Sequence, residues 1–547
     1  MLRIAGLTDL PGRLSQRCGP RLALVLATLL LLPTLTACQP RRPPGVLIVA
    51  TKSRLDSLDP AAASRVGIMQ VLSALGDPLY AIAPDGRIEP RLATALPQLS
   101  PDGRRARIRL RQDVLFHDGT RFDAEAMAFS LRRFMAIGTL GFQLSDRVRA
   151  VRVTGSHELE LELKQPFSPL PRLLSAIFLT PVSPTAYRAY RDKPLADRFV
   201  GTGPYQVSFF SPQQQRLSPW PRYWGTRPRN GGLSLVTLSN STALFGALRS
   251  GEVDLLLSSG LEIDHQRALH RDAQAGRLRE AIGPALEIGF LSLLSDQPPL
   301  NSALLRQAIA HSLDRRTLSE RASLGIRVPL RQLVPPSLPG SAADLWPAYN
   351  PQRARQLFRQ AGYCQGKRFS LPLTFRSDIP TDRLLALTWQ AQLQRDLGDC
   401  ISLEPTGMES TTAYDQLSKG ALVMFFYDWS ADYPDAENFL VPLLGCEQPR
   451  GNRCLKGNSA LSGSFWSAPG LDAQLQKSSR LAGAARLALL HTIQRRAAAA
   501  SPYLPVWLSA PVAWARPQLS TPRFDGSGRV LLGELQRRET PAAGNQP

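Results

Sequence analysis

Histidine is scarce, with six in 547 residues, and no HExxH or CxxC arrangement gathers metal-ligating side chains. A metal centre built from protein ligands is therefore not expected. His265 and His270 are five apart, a spacing that turns them to different helix faces. His117 stands in a turn ahead of a helix cap, which is the setting of a structural histidine. The chain has no G-x-S-x-G elbow for a serine nucleophile, and its glycine-rich stretch Gly201-Thr202-Gly203-Pro204 lacks the lysine of a phosphate loop. Several acids in one turn do not make an acid/base pair across a scissile bond, so a secreted hydrolase is poorly supported and no catalytic residue is assigned. Net charge is +21, carried mostly by arginine, but no dense Lys/Arg cluster interleaves with aromatics. The charge reads as a distributed surface property, and nucleic acid is not an expected partner. No repeat of fixed period is present.

What is present is a chain too long for one core, so two or three domains are expected. An apolar content of 43% against 20% charged residues is that of a globular protein. Arg3, Arg13, Arg17 and Arg21 precede the apolar run Leu22–Leu32, which Pro33 ends too early for a comfortable membrane span. Small residues follow, in the pattern of a secretory signal. Leu35-Thr36-Ala37-Cys38 resembles the bacterial lipobox, with Thr36 in place of the usual Ala or Ser. Residues 1–37 then form the signal, Cys38 takes the lipid, and 38–44 make a Pro/Arg-rich tether. Export leaves four thiols in an oxidising compartment, Cys364, Cys400, Cys446 and Cys454. Two disulfides are expected in one of three connectivities, and Cys364–Cys400 with Cys446–Cys454 are favoured as the local pairs.

Along the chain, Gly45–Ala50 reads as a strand leading to the turn Leu58-Asp59-Pro60. Ile108–Arg111 and Leu159–Leu163 alternate as half-exposed strands. Asp123 suits the cap of a helix striped by Met127, Leu131 and Phe134. Beyond residue 300 the rhythm becomes helix–strand. Leu305, Ile309 and Leu313 follow an Asn301 or Ser302 cap, Pro351 opens a helix closed by Gly362, and Leu385, Trp389, Leu393 and Leu397 repeat at four. Alternation of this kind predicts an α/β protein.

The stretch that gathers polar chemistry is Tyr427–Phe439. Four carboxylates, Asp428, Asp432, Asp435 and Glu437, are interleaved there with Trp429, Tyr433 and Phe439, directly after the apolar run Ala421–Phe426. A buried strand delivering acids and rings to its carboxyl end places them where ligands sit in open α/β sheets. A ring-walled carboxylate suits a small solute with a positive group.

In this order the stretches resemble those of extracytoplasmic solute-binding protein family 5, the oligopeptide/dipeptide/nickel class that serves ABC importers. The matching elements are the lipobox, Leu58-Asp59-Pro60, Phe116-His117-Asp118-Gly119-Thr120, Gly201-Thr202-Gly203-Pro204-Tyr205, Ser250-Gly251-Glu252-Val253-Asp254, Arg306-Gln307-Ala308-Ile309 with Leu313-Asp314-Arg315, Asp428–Phe439 and Ser501–Pro505. The resemblance implies a two-lobe periplasmic-binding-protein-like fold, type II or cluster C, with an inserted subdomain. Lobe I would take residues 45–85, 198–285 and 505–538, the insert 86–197, lobe II 286–504, and 539–547 a disordered tail. It implies that Asp432 pairs with the α-ammonium of a bound peptide, that Trp429 and Tyr433 line the cleft, and that Asp435 and Asn438, which match the family's turn, join them as ligand-binding residues. The family's carboxylate-binding arginine falls in no stretch that matches. It further implies a monomer without cofactors that delivers peptide or another small solute to permease subunits and their ATPases. A metal chelate, glutathione or oligosaccharide as ligand, or a sensing role, fits the same resemblance.

Overall fold

The computed structural model describes residues 44–538 apart from 53, 64 and 65. The expected signal, Cys38 and the tail 539–547 lie outside the described residues. The apolar run after Gly45 forms the strand Val46–Thr51, which pairs in parallel with Gly232–Thr237 on one side and Leu255–Leu257 on the other. It lies in a seven-stranded sheet ordered Arg279–Ile282, Val512–Ala515, Leu255–Leu257, Val46–Thr51, Gly232–Thr237, Gln214–Pro219, Tyr205–Phe210. A second sheet of six strands runs Val328–Pro329, Tyr503–Ser509, Glu287–Leu293, Met424–Ser430, Phe369–Arg376, Ile401–Met408. Each sheet has its own large apolar core, which makes the protein two-lobed. Among the described residues no helix is long and apolar enough to cross a membrane.

The chain passes between lobes twice, at residues 283–286 and again at 510–511. The Gly283 N–H donates to the Pro511 carbonyl at 2.8 Å, tying the two crossings side by side as a hinge. The return comes later than residue 505, because the extended run continues to Ser509 and pairs there with Glu287 in the second sheet. Within 86–197, the strands Gln98–Leu99, Arg105–Arg109, Glu158–Leu163 and Val148–Gly155 form a separate four-stranded sheet. Helix Ala124–Ile137 packs on it, with Asp123 capping through the Ala126 N–H.

Most of the sequence stretches that carry the resemblance do structural work. Asp59 is fully buried and binds Arg133 bidentately at 2.9 and 2.6 Å while also receiving the Ala61 and Leu195 N–H groups. Removing one member of a buried pair strands the other, so Asp59→Ala is expected to cost about 3–5 kcal/mol, read as a lower urea midpoint. Gly203 is fixed by close approach: a Cβ there would lie 2.3 Å from the Leu75 carbonyl carbon. Arg306 donates to the carbonyl of Ala500 at the end of the helix Gly483–Ala500, and Arg315 to that of Pro505 in the strand that returns to lobe I. His117 is a packed structural residue, its Nε2 3.1 Å from the Gly203 carbonyl and its pKa lowered by burial. His265 and His270 have different partners, Ser241 and Glu280. Cys364–Cys400 and Cys446–Cys454 form disulfides.

Candidate ligand-binding site

The strand Met424–Ser430 lies in the middle of the second sheet, paired with Glu287–Leu293 and Phe369–Arg376. Its first four residues are buried and its last three emerge at the carboxyl end of the strand. The polypeptide then turns through residues 431–436 into the helix Glu437–Leu444. Gly289, paired with Asp428, leaves the room this end of the strand requires, since a Cβ there would meet the Trp507 indole nitrogen at 2.2 Å.

The four acids of this stretch meet different fates. Asp428 receives Arg376 Nη2 at 2.6 Å and has Arg327 at 3.8 Å. Burial pushes its carboxyl up, but the two guanidinium groups outweigh burial and hold it below the usual range. Asp435 is buried and bound bidentately by Arg486 at 3.1 and 2.6 Å, with Arg172 at 3.8 Å. Glu437 is buried, pairs with Arg147 at 2.9 Å and accepts the Tyr433 hydroxyl. Asp432 alone has no basic partner among the described residues. Its Oδ2 accepts a 2.6 Å hydrogen bond from the Gln143 side-chain amide, and burial raises its pKa to about 6. An ionised carboxylate in such a place is costly without a cation.

Gln143 comes from the inserted subdomain, so the carboxylate and its cap belong to opposite sides of the inter-lobe seam. The same subdomain supplies Arg147 to Glu437, Arg172 to Asp435 and to the Pro434 carbonyl at 3.0 Å, and the Ser168 N–H to the Ser479 carbonyl at 2.7 Å. Tyr433 goes furthest: 2% exposed, it packs among the apolar residues of the first lobe's core. The turn 431–437 is thus inserted into the opposite lobe. Beside it lies a cavity of about 390 Å³ whose walls include Arg147, Phe167, Glu437, Glu447, Asp472 and Leu475. Asp432 is not among its lining residues, and that volume lies toward the small end of ligand pockets, about 300–1,000 Å³.

Of the residues the sequence singles out, Asp432, Trp429 and Asn438 come together. The Asn438 side chain accepts the Asp432 N–H at 2.9 Å, and the Trp429 indole donates to the Asn438 carbonyl at 2.8 Å. Asp435 and Tyr433 depart from the expected ligand-facing roles. Arg486 and Arg172 neutralise the first, and the second is sunk in the opposite lobe, so both hold the turn instead of lining an open cleft. Gln143, Arg147 and Arg172 were not legible as partners, because each lies more than 250 residues from its contact in the turn.

Two lobes, a double-crossing hinge and a polar seam define a solute-binding protein of the two-lobe class. The profile of the bacterial extracellular solute-binding proteins, family 5, matches residues 87–450, and the chain belongs to that family. The glutathione-binding protein GsiB of Salmonella paratyphi A is 27% identical over 408 residues, covering 73% of this chain and 78% of that protein. Among solved structures, Brucella suis NikA in complex with Fe(III)-EDTA superposes with a TM-score of 0.79 at 22% identity, over 91% of this chain and 100% of that one. The dipeptide-binding protein of Pseudoalteromonas sp. SM9913, in complex with Met-Leu, gives a TM-score of 0.74 at 20% identity, over 90% and 100%.

Proposed function

We infer that the protein is the capture component of an ABC importer for short peptides with a free amino end. One observation carries the reading: Asp432 is the single carboxylate of its turn left without a cation, and it stands at the seam between lobes, capped by a neutral amide. A ligand ammonium replacing that amide exchanges a neutral donor for a cation and makes an ion pair with the carboxylate, worth about 1.5–3 kcal/mol. Apolar contact and water release on closure supply the rest of the ~8 kcal/mol that micromolar affinity needs. Glutathione and Met-Leu, the ligands named for two of the relatives, both carry a free ammonium, whereas Fe(III)-EDTA carries none. The liganded, closed form then docks on the permease, because ligand shifts the open–closed population.

Titration calorimetry with a dipeptide library and its N-acetylated counterparts tests this. Saturable binding of the free peptides and loss of binding on acetylation is the expected result; equal binding of both sets, or binding of nickel salts alone, overturns it. The pH profile follows from the raised pKa. Below about pH 6 the unliganded carboxyl is protonated and a proton must leave before the ammonium pairs, so affinity is expected to fall about tenfold per pH unit. Above pH 8 it falls again as the peptide's α-amino group, with a pKa of about 7.7–8.0, deprotonates.

The second half of the reading is location. Cys38 takes lipid after removal of residues 1–37, which holds the protein at a membrane outside the cytoplasm. Cys38→Ser is expected to move it from the membrane fraction to the soluble one.

A further inference from the structure

The arginine excess has a focus. The first strand begins at Val46, and the turn before it is fastened by the Gly231 N–H on the Gly45 carbonyl at 2.8 Å. Next to it, the Arg229 N–H bonds the Gly533 carbonyl, and Asp254 receives Arg537 while its carboxylate holds the Ile48 N–H. The Arg516 guanidinium donates to the Gly251 carbonyl, the Arg538 N–H bonds the Gln518 carbonyl, and Arg523 pairs with Glu534. The end of lobe I where the chain enters thus gathers Arg227, Arg229, Arg516, Arg523, Arg537 and Arg538, all but Arg516 exposed. Against them stand Glu252, Glu534 and the buried, paired Asp254. Arg41 and Arg42 precede this end in sequence.

We propose that this arginine-rich end of lobe I rests on an anionic lipid bilayer. The argument rests on the anchoring read for Cys38. Only residues 39–44 separate that cysteine from the end of lobe I described above, and six extended residues reach no more than about 20 Å. Held that close, a basic face lies within a few Debye lengths of a negative surface and is drawn onto it.

The test uses residues 45–547, which form a compact unit of their own and carry no residue 38. Vesicle binding therefore reads separately from lipidation of Cys38 and from peptide binding. Sedimentation with phosphatidylglycerol-containing vesicles at moderate ionic strength is compared with neutral phosphatidylcholine vesicles. Binding to the former alone, weakened by salt, is expected. Exchanging Arg227, Arg229, Arg523 and Arg538 for Glu together should weaken it at least tenfold. Exchanging the exposed lobe II residues Arg321, Arg353, Arg359 and Arg383 for Glu makes the same change in net charge and should weaken it less than threefold. Thermal melts and peptide titrations confirm that both variants fold. Equal losses in the two variants, or no preference of the parent chain for anionic vesicles, overturns the proposal.

Discussion

Asp432→Asn is expected to abolish useful peptide affinity and to stabilise the protein at the same time. The two effects have one cause. The carboxylate is held where its charge is desolvated and unpaired, with a pKa of about 6 against 3.8 in the unfolded chain. For an acid this sign means that ionisation costs stability. The cost is absent below about pH 4, where both states are protonated, grows as pH rises, and is complete above pH 6. Its size is at most about 3 kcal/mol. Asparagine keeps the shape and can still accept from Gln143, but carries no charge. A rise in melting temperature at pH 7.5 that vanishes near pH 4 is therefore expected. Without the charge the ligand ammonium enters the seam unpaired. Losing one partner of a buried pair costs about 2–5 kcal/mol, so Kd should rise by two to three orders of magnitude. Calorimetry and paired melts at the two pH values check both. A purely structural Asp432 would lower stability on substitution, which separates the readings.

The sequence made the lobes and the candidate turn legible for reasons that can be named. Periodic apolar stripes with caps placed the helices from residue 303 onwards, because Ser302 and Pro351 are local signals whose physics needs no distant partner. The buried run before Asp428 marked the strand that delivers the turn. What sequence could not supply was the sorting of its acids. Asp428, Asp432, Asp435 and Glu437 look alike along the chain, and only the arrival of Arg376, Arg486, Arg172 and Arg147 distinguishes the three that are neutralised from the one that is not. In a chain with 65 basic residues, pairing of this kind is set by the fold. Tyr433 misled for a related reason: an aromatic ring beside acids suits a cleft wall, yet its ring belongs to the opposite core and its hydroxyl to Glu437.

If Gln143 stands where a ligand ammonium would go, then placing an ammonium there permanently should imitate the liganded state. Lysine reaches one bond further than glutamine on a flexible stem, and the glutamine amide already lies 2.6 Å from Asp432 Oδ2. In Gln143→Lys, the tethered cation faces the carboxylate at an effective concentration of about millimolar or more. It replaces the carboxylate's neutral donor by a cationic one, an ion pair worth about 1.5–3 kcal/mol. Any peptide must now displace it, so apparent affinity should fall about ten- to hundredfold. The unliganded protein should melt higher and populate the closed form, seen as a smaller radius of gyration in solution scattering. Gln143→Ala removes the neutral cap and should leave affinity unchanged or slightly tighter. The decisive comparison is the double variant: with Asp432→Asn present, Gln143→Lys has no carboxylate to meet and its gain in stability should disappear. Persistence of that gain would place the lysine's partner elsewhere and remove Asp432 from the seam's recognition chemistry.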